Sequence, residues 1–373
     1  MKIMHLADFH LDSAFSGFGK EEADKRRKEM RDCFVRAMKI AKEREVKLIL
    51  IPGDLFDTPF CSAATRKTVF DAIKDAGCPV VIAPGNHDYY NKNGTYADKE
   101  LPENVFVFTS GELGRFDFDE LGISVVGYGF TSERYEENPL ADEVPLSSDN
   151  INILCAHTEL GVSYSRYAPM NISSISTHNF LYAALGHVHS PDKPQWDNGT
   201  LVAYSGFAQG RSFDELGEGG AYIVDIDMQS KDASLERVKL SSMSYIIEKL
   251  DITSLSRDED VAAKIDSIID EKKYGDDVAL RVILIGAVPS SYTVNEKEIC
   301  KMLAKKQLAL LQIKNSSVAN FDLADLESDI TVRGEVYREL LPLLNSSDEK
   351  ERQKASLALK IALAALDKRE FGV

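Results

Sequence analysis

Five apolar runs rich in β-branched residues, each closing on a polar tip, constrain this chain more than any other feature of it. Residues 3–7 run into Asp8-Phe9-His10, 46–51 into Pro52-Gly53-Asp54, and 79–84 into Gly85-Asn86-His87-Asp88. Residues 151–156 end at His157, and 181–185 at Gly186-His187-Val188-His189. Apolar runs this short, bounded by glycine and proline, read as buried strands. Between the first runs, Met30, Phe34, Ala37, Met38 and Ala41 lie three or four apart on one helix face, and Ala63–Ala76 reads as a second helix. From Val105 short strands dominate, at 123–128, 201–204 and 221–226 besides the last two runs, and these are expected to form a second sheet. Residues 1–240 are therefore expected to be an α/β fold, a two-sheet β-sandwich flanked by helices.

Beyond residue 240 the pattern changes. Residues 241–318 alternate strand and helix, most clearly at 279–286 and 295–307, as in a small α/β domain. Residues 319–373 are helical, with Val332, Val336, Leu340, Leu341 and Leu344 on one face and Ala355, Leu359, Ala362, Leu363 and Leu366 on another. Such a terminal pair either closes the preceding domain or docks on a partner. The acidic stretch 133–150 is expected to be a surface loop.

Composition narrows the class further. Hydrophobic residues at 44% and charged residues at 28% fit an ordinary globular protein. No apolar run approaches the roughly 20 residues a membrane helix needs, so no membrane is expected and the expected location is cytoplasmic. Five cysteines with no Cys-x-x-Cys spacing exclude a zinc ribbon and argue against a disulfide framework. A net charge of -16 is awkward for a protein that holds nucleic acid, since a phosphate backbone needs Lys and Arg at its contact surface. Lys25-Arg26-Arg27-Lys28 is the obvious basic cluster, but Glu21, Glu22, Asp24 and Glu29 around it make it a solvated helix face.

The five tips carry Asp8, His10, Asp54, Asn86, His87, His157, His187 and His189, and so hold five of the chain's seven histidines. A single histidine at a strand end is ordinarily just a hydrogen-bonded residue, which is the expectation for His5 and His178; the constellation is another matter. In Asp8-x-His10 and His187-x-His189, alternation along an extended chain would send both side chains to one side. Carboxylate, amide and imidazole with no thiolate suit manganese, iron or zinc in a catalytic site. Two such ions bridged by a carboxylate are suited to hydrolysing phosphate esters.

On these residues the chain resembles the calcineurin-like metallophosphoesterases, through Asp-x-His (Asp8, His10), Gly-Asp-x-x-Asp (Gly53, Asp54, Asp57), Gly-Asn-His-Asp (Gly85 to Asp88), a lone His157 and Gly-His-x-His (Gly186 to His189) in family order. The resemblance implies two divalent metal ions, Mn2+ foremost. Asp8, His10, Asp54 and His189 would hold one, and Asp54, Asn86, His157 and His187 the other. It makes His87 the catalytic proton donor, with Asp88 orienting it. Archaeal and eukaryotic relatives carry a histidine where Asp57 stands, so a second catalytic histidine does not carry over, and Asp57 is expected to brace the site from behind.

Within that superfamily the wording of residues 5–13, 53–57 and 209–215 is similar to the SbcD-type DNA-repair exonucleases, especially their YhaO-like branch. That implies a Mn-dependent 3′-to-5′ exonuclease and single-strand endonuclease, with DNA and an SbcC-like coiled-coil ATPase as partners and a homodimer left open. By layout alone, 241–318 would be the capping domain and 319–373 the ATPase-docking helices. Arg211 could contact phosphate or pair with Asp214 or Glu215. Two other readings stand beside this one: a metallophosphoesterase for small phosphodiesters or phosphoproteins, and an assembly subunit of an ATPase complex.

Overall fold

Strands β1 (Lys2–His5), β2 (Leu48–Ile51), β3 (Val80–Ile82) and β4 (Val105–Val107) run parallel, side by side, in a six-stranded sheet with β4 at its edge. The computed structural model describes residues 1–366 except 142, 192, 290, 321 and 322. Its two units are Met1–Tyr245 and the chain from Ile246 onward. In the first unit every residue of β2 and β3 is buried, as parallel strands covered on both faces require. Helix α1 (Lys20–Glu43) turns Met30, Phe34, Ala37, Met38 and Ala41 onto one face of this sheet. Helix α2 (Ala63–Ala76) packs there too, started by the Ser62 side chain accepting from the Thr65 N–H and stopped by left-handed Gly77.

The second sheet holds six strands in the order β5 (Gly114–Phe118), β6 (Ile123–Gly127), β7 (Ile151–His157), β8 (Tyr182–Gly186), β10 (Thr200–Tyr204) and β9 (Gln195–Asp197). Its four central strands are parallel and its edges antiparallel. Ile3, Leu48, Leu50 and Val81 of the first sheet meet Val125, Ile153, Cys155 and Ala184 of the second in one apolar layer. Buried His5 pins the two together: its ring nitrogens face the Tyr182 hydroxyl at 2.6 Å and the Leu185 carbonyl at 3.1 Å.

Three expectations need correcting. Residues 221–226 do not join the second sheet. They form β11 (Gly220–Asp227), which pairs antiparallel with β1 and with β12 (Asp232–Lys239). A strand apolar on both faces suits either sheet, so the pattern could not choose. Secondly, the 133–150 stretch is not wholly on the surface, because Leu140 is buried and Tyr135 stacks on Tyr128. Lastly, the basic cluster on α1 is not a uniformly solvated face: Arg26 is 6% exposed and held between Glu22 and Glu29.

The second unit is described on its own. Strands β13 (Ser244–Asp251), β14 (Val278–Ile285) and β16 (Leu310–Asn315) form a sheet, and α4 (Asp258–Lys272) and α5 (Glu296–Met302) share an apolar core with it. Strands β15 (Ala287–Pro289) and β17 (Val318–Asn320) pair separately. Helices α6 (Leu323–Ser328), α7 (Val332–Leu344) and α8 (Glu349–Leu366) follow, gathered around Leu326, Tyr337, Leu359 and Leu363. Lys368, expected to end the last helix, lies outside the described residues. No helix among them is long and apolar enough to cross a membrane.

Candidate metal centre

The carboxyl ends of β1, β2, β3, β7 and β8 meet at one point, the place where open α/β sheets ordinarily bind ligands. Glycines let the tips come this close. A Cβ on Gly85 would stand 2.3 Å from Asp54 Oδ1, and one on Gly53 2.3 Å from His157 Nδ1. The convergence does not arise from strand alternation, as expected for Asp8-x-His10 and His187-x-His189. Asp8, His10, Asp54 and His187 all have positive φ, at 52°, 47°, 52° and 104°. Left-handed turns at the ends of the strands, rather than pleating, aim these side chains.

The result is a tight set of donors. Asp8, His10 and His189 offer ligand atoms within 4.8 Å of one another, as do Asp8, Asp54 and His157, and as do His10, Asp54 and His87. Asp54 thus belongs to two of the three groups, with Oδ2 at 3.6 Å from both His10 Nε2 and His157 Nε2. Asn86 joins through its Oδ1, 3.0 Å from His157 Nε2. His187 stands further back, its ring 5.1 Å from that of His157 and 4.6 Å from that of Tyr167. Both central carboxylates are held by backbone: the His187 N–H donates to Asp8 and the His87 N–H to Asp54.

Two close approaches show that the set suits a cation. His157 Nδ1–H donates to the Pro52 carbonyl at 3.0 Å, which leaves the Nε2 lone pair aimed at the Asn86 oxygen, another acceptor. His189 Nδ1 lies 2.8 Å from Glu215, so its Nε2 lone pair faces His10 Nε2 at 3.1 Å. His10 Nδ1 in turn looks toward Asp57 Oδ1 at 3.3 Å, at an angle too oblique to satisfy it fully. Lone pairs facing each other repel unless a positive charge sits among them, and a carboxylate behind the imidazole is the usual support of a metal-binding histidine.

The titration of these groups tells the same story. Burial pushes the Asp8 and Asp54 carboxyls up to about 7, the latter helped by the charge of Asp88. Burial likewise lowers His10 and His187 to about 3 and His157 to about 4. A buried site that disfavours its own charges is one that a divalent cation stabilises in ionised form. Glu215 differs: burial opposes its ionisation, but hydrogen bonds from His189 and Arg211 hold it down at about 2.

Other expected roles are redistributed. Asp88 does not touch the His87 ring. Fully buried, it accepts from the backbone N–H groups of Asp54, Leu55 and Gly85 and from the Tyr96 hydroxyl, so it ties the second and third tips together instead of orienting a catalytic histidine. Asp57 lies between His10 and His87, behind the centre. Arg211 pairs with Glu215, at 2.9 Å through Nε, and also reaches toward Asp57 and His189. His87 is the exposed member, its side chain 44% accessible and its ring edge-on to His10 at 4.6 Å. Sequence reasoning missed Glu215 as the partner of His189, although it lies in the 209–215 segment.

His87 and Asn86 line an open cleft of about 470 Å³ together with Asp57, Glu133, Arg134, Arg166 and Tyr167. A larger cleft of about 1060 Å³ lies between α2 and residues 99–104, away from every one of these groups.

Residues 1–191 match the family Metallophos, calcineurin-like phosphoesterase. The chain is 28% identical over 301 residues to the metallophosphoesterase YhaO of Bacillus subtilis, covering 78% of this chain and 72% of that one. It is 24% identical over 300 residues to the DNA double-strand break repair protein Mre11 of Saccharolobus solfataricus (73% and 72% covered). With one subunit of the nuclease SbcCD of Staphylococcus epidermidis it shares 27% identity over 260 residues (61% and 66% covered).

Proposed function

The chain belongs to the calcineurin-like phosphoesterase family, and from that premise we propose that this metal-dependent phosphoesterase hydrolyses phosphodiester bonds in DNA, as a manganese-dependent 3′-to-5′ exonuclease and single-strand endonuclease of DNA repair. The observation that carries the reading is Asp54, shared between two sets of donors whose imidazole lone pairs face other acceptors. The DNA substrate is supported by the relatives named for strand-break repair and nuclease activity.

In this reading Asp8, His10, Asp54 and His189 hold one cation, and Asp54, Asn86, His157 and His187 the other. Bound there, the pair supplies charge neutralisation for the phosphate oxygens and a water made acidic enough to attack near neutral pH. The chain's own residues do the rest. Asp57 and Glu215 fix the His10 and His189 rings, and Asp88 fixes the loop that carries Asp54. His87 turns its Nδ1–H to the Asp57 carbonyl at 3.4 Å, and when the ring is protonated on both nitrogens its Nε2–H is left to donate to the leaving oxygen.

Residues 1–240 are the proposed nuclease domain, 241–318 a capping domain, and 319–373 a docking element for an SbcC-like ATPase. Supporting the last, Val332, Leu343, Leu357, Ile361 and Leu366 on α7 and α8 stay 44–58% exposed. The experiment incubates the protein with Mn, Mg or Zn and end-labelled duplex DNA, single-stranded DNA or bis-p-nitrophenyl phosphate, beside His87→Ala and Asp8→Ala. Both variants are expected to lose hydrolysis, His87→Ala with its cations still bound. Cleavage of the small diester with no DNA degraded, with or without the ATPase, overturns the nuclease reading.

A further inference from the structure

We infer that the cleft beside His87 binds a second phosphate of the substrate, next along the chain from the bond cleaved, so that the site selects a single nucleic-acid strand over an isolated phosphodiester. The inference rests on the phosphodiesterase reading above and names what that site recognises.

Two loops of different strands build the outer wall. The Tyr135 N–H donates to the Arg166 carbonyl at 2.9 Å, the Ala168 N–H donates back to the Tyr135 carbonyl, and Tyr135 bridges to Tyr167. This pairing brings the backbone of residues 134–135 beside that of 166–168, and Arg134 and Arg166 line the cleft together with Asn86 and His87. Both arginines are exposed, and neither guanidinium has a hydrogen-bond or ion-pair partner among the described residues. Other arginines of the unit do not stand so: Arg26, Arg27, Arg44, Arg66, Arg115 and Arg211 each hold a carboxylate. In a chain of net charge -16, these two guanidinium groups offset Asp57 and Glu133 in the lining of the same cleft.

Guanidinium recognises phosphate through paired N–H donors, so the wall is suited to one. That phosphate is not the one being cleaved, whose charge falls to the cations that the Asp54 set would hold. A volume of about 470 Å³ is in the ~300–1,000 Å³ range of small-ligand sites. Two rings, Tyr89 and Tyr167, line it. Tyr164, two residues before Arg166, is 98% exposed, and Phe60, three residues after Asp57, is 57% exposed. Exposed aromatics beside a basic groove stack unpaired bases without reading their identity, which a duplex cannot offer.

The test measures binding of fluorescein-labelled single-stranded dT10 to the full chain, with calcium in place of manganese so that binding is read without turnover. Arg134→Ala/Arg166→Ala is expected to weaken binding about tenfold or more and to lower the slope of log Kd against log salt by about 1.4, roughly 0.7 per contact on a single strand. Arg134→Lys/Arg166→Lys recovers part of the loss, and Lys39→Ala/Arg44→Ala, which removes the same charge from α1, binds as wild type does. With manganese, the double alanine variant loses hydrolysis of single-stranded DNA by a larger factor than hydrolysis of bis-p-nitrophenyl phosphate, which has no second phosphate. Wild-type affinity and salt slope in that variant overturn the inference, as does a phosphopeptide that displaces dT10 equally well from both proteins. Failure of the wild-type chain to hydrolyse the small diester overturns the phosphodiesterase reading instead, and the binding measurement still decides the role of the arginines.

Discussion

The two flanks of Asp54 use the same kinds of side chain and brace them differently. On one flank His10 and His189 turn Nδ1 toward carboxylates, Asp57 and Glu215, with Arg211 closing the network. On the other, His157 leans on the neutral Pro52 carbonyl and His187 on the ring of Tyr167. A carboxylate behind an imidazole raises its basicity and adds negative charge, whereas a carbonyl or an aromatic ring fixes orientation and adds none. On the proposed assignment of ligands, the His10–His189 flank would hold its cation more tightly than the His157–His187 flank.

Removing Asp54 abolishes the comparison, because it belongs to both flanks. Asp54→Asn is expected to lower hydrolysis of bis-p-nitrophenyl phosphate roughly 10³-fold or more, since each cation supplies several kcal/mol of charge stabilisation. Calorimetric titration with manganese should show both binding events weakened together. One event lost and the other intact would mean that Asp54 is not shared.

Asp88→Ala attacks what the flanks have in common. It orphans the buried N–H groups of Asp54, Leu55 and Gly85, at about 1–3 kcal/mol each, so unfolding in urea should show a loss on the order of 3 kcal/mol or more. His87→Ala, at an exposed position, should leave stability unchanged. A fully stable but inactive Asp88→Ala would return Asp88 to a catalytic role.

Glu215→Gln separates the flanks. It keeps the shape but removes the charge behind His189, which should weaken the tighter manganese event about 10–100-fold and leave the other alone. Equal weakening of both events would break the contrast.

The smallest effect is the one of pH. Asp8 titrates at about 7 in the folded chain without cations, above its ordinary 3.8. The folded state then keeps a proton that the unfolded chain releases, so the stability contributed by Asp8 is present at low pH and is lost as pH rises from about 4 through about 7. In chelator, Tm of the wild type should fall by a few degrees relative to Asp8→Asn between pH 5 and 8. Manganese should abolish that difference, because the cation takes the proton's place. A difference of opposite sign would place the Asp8 carboxyl below its ordinary value.

Much of the sandwich was legible because parallel strands buried on both faces announce themselves as unbroken apolar runs, and their tips hold residues with few structural uses at such spots. What stayed hidden depends on partners distant in sequence. Nothing in residues 220–239 says that this hairpin joins β1 and not the second sheet. Asp88 reads as a neighbour of His87, yet its contacts run to backbone 32 to 34 residues earlier and to the Tyr96 hydroxyl. Arg134 and Arg166 sit in loops that look unremarkable until Tyr135 pairs with 166–168.

The left-handed turns at Asp8, His10, Asp54 and His187 also limit which amino acids the centre can ever use. At positive φ, aspartate, asparagine and histidine are the side-chain-bearing residues tolerated best, and β-branched residues are nearly excluded. Glutamate, a capable metal ligand elsewhere, gains nothing from such a backbone. At these four positions the choice of ligand is thus set as much by torsion angles as by coordination chemistry, whereas Asn86, His157 and His189, at ordinary φ, are the places where the metal preference can be retuned without rebuilding the ends of the strands.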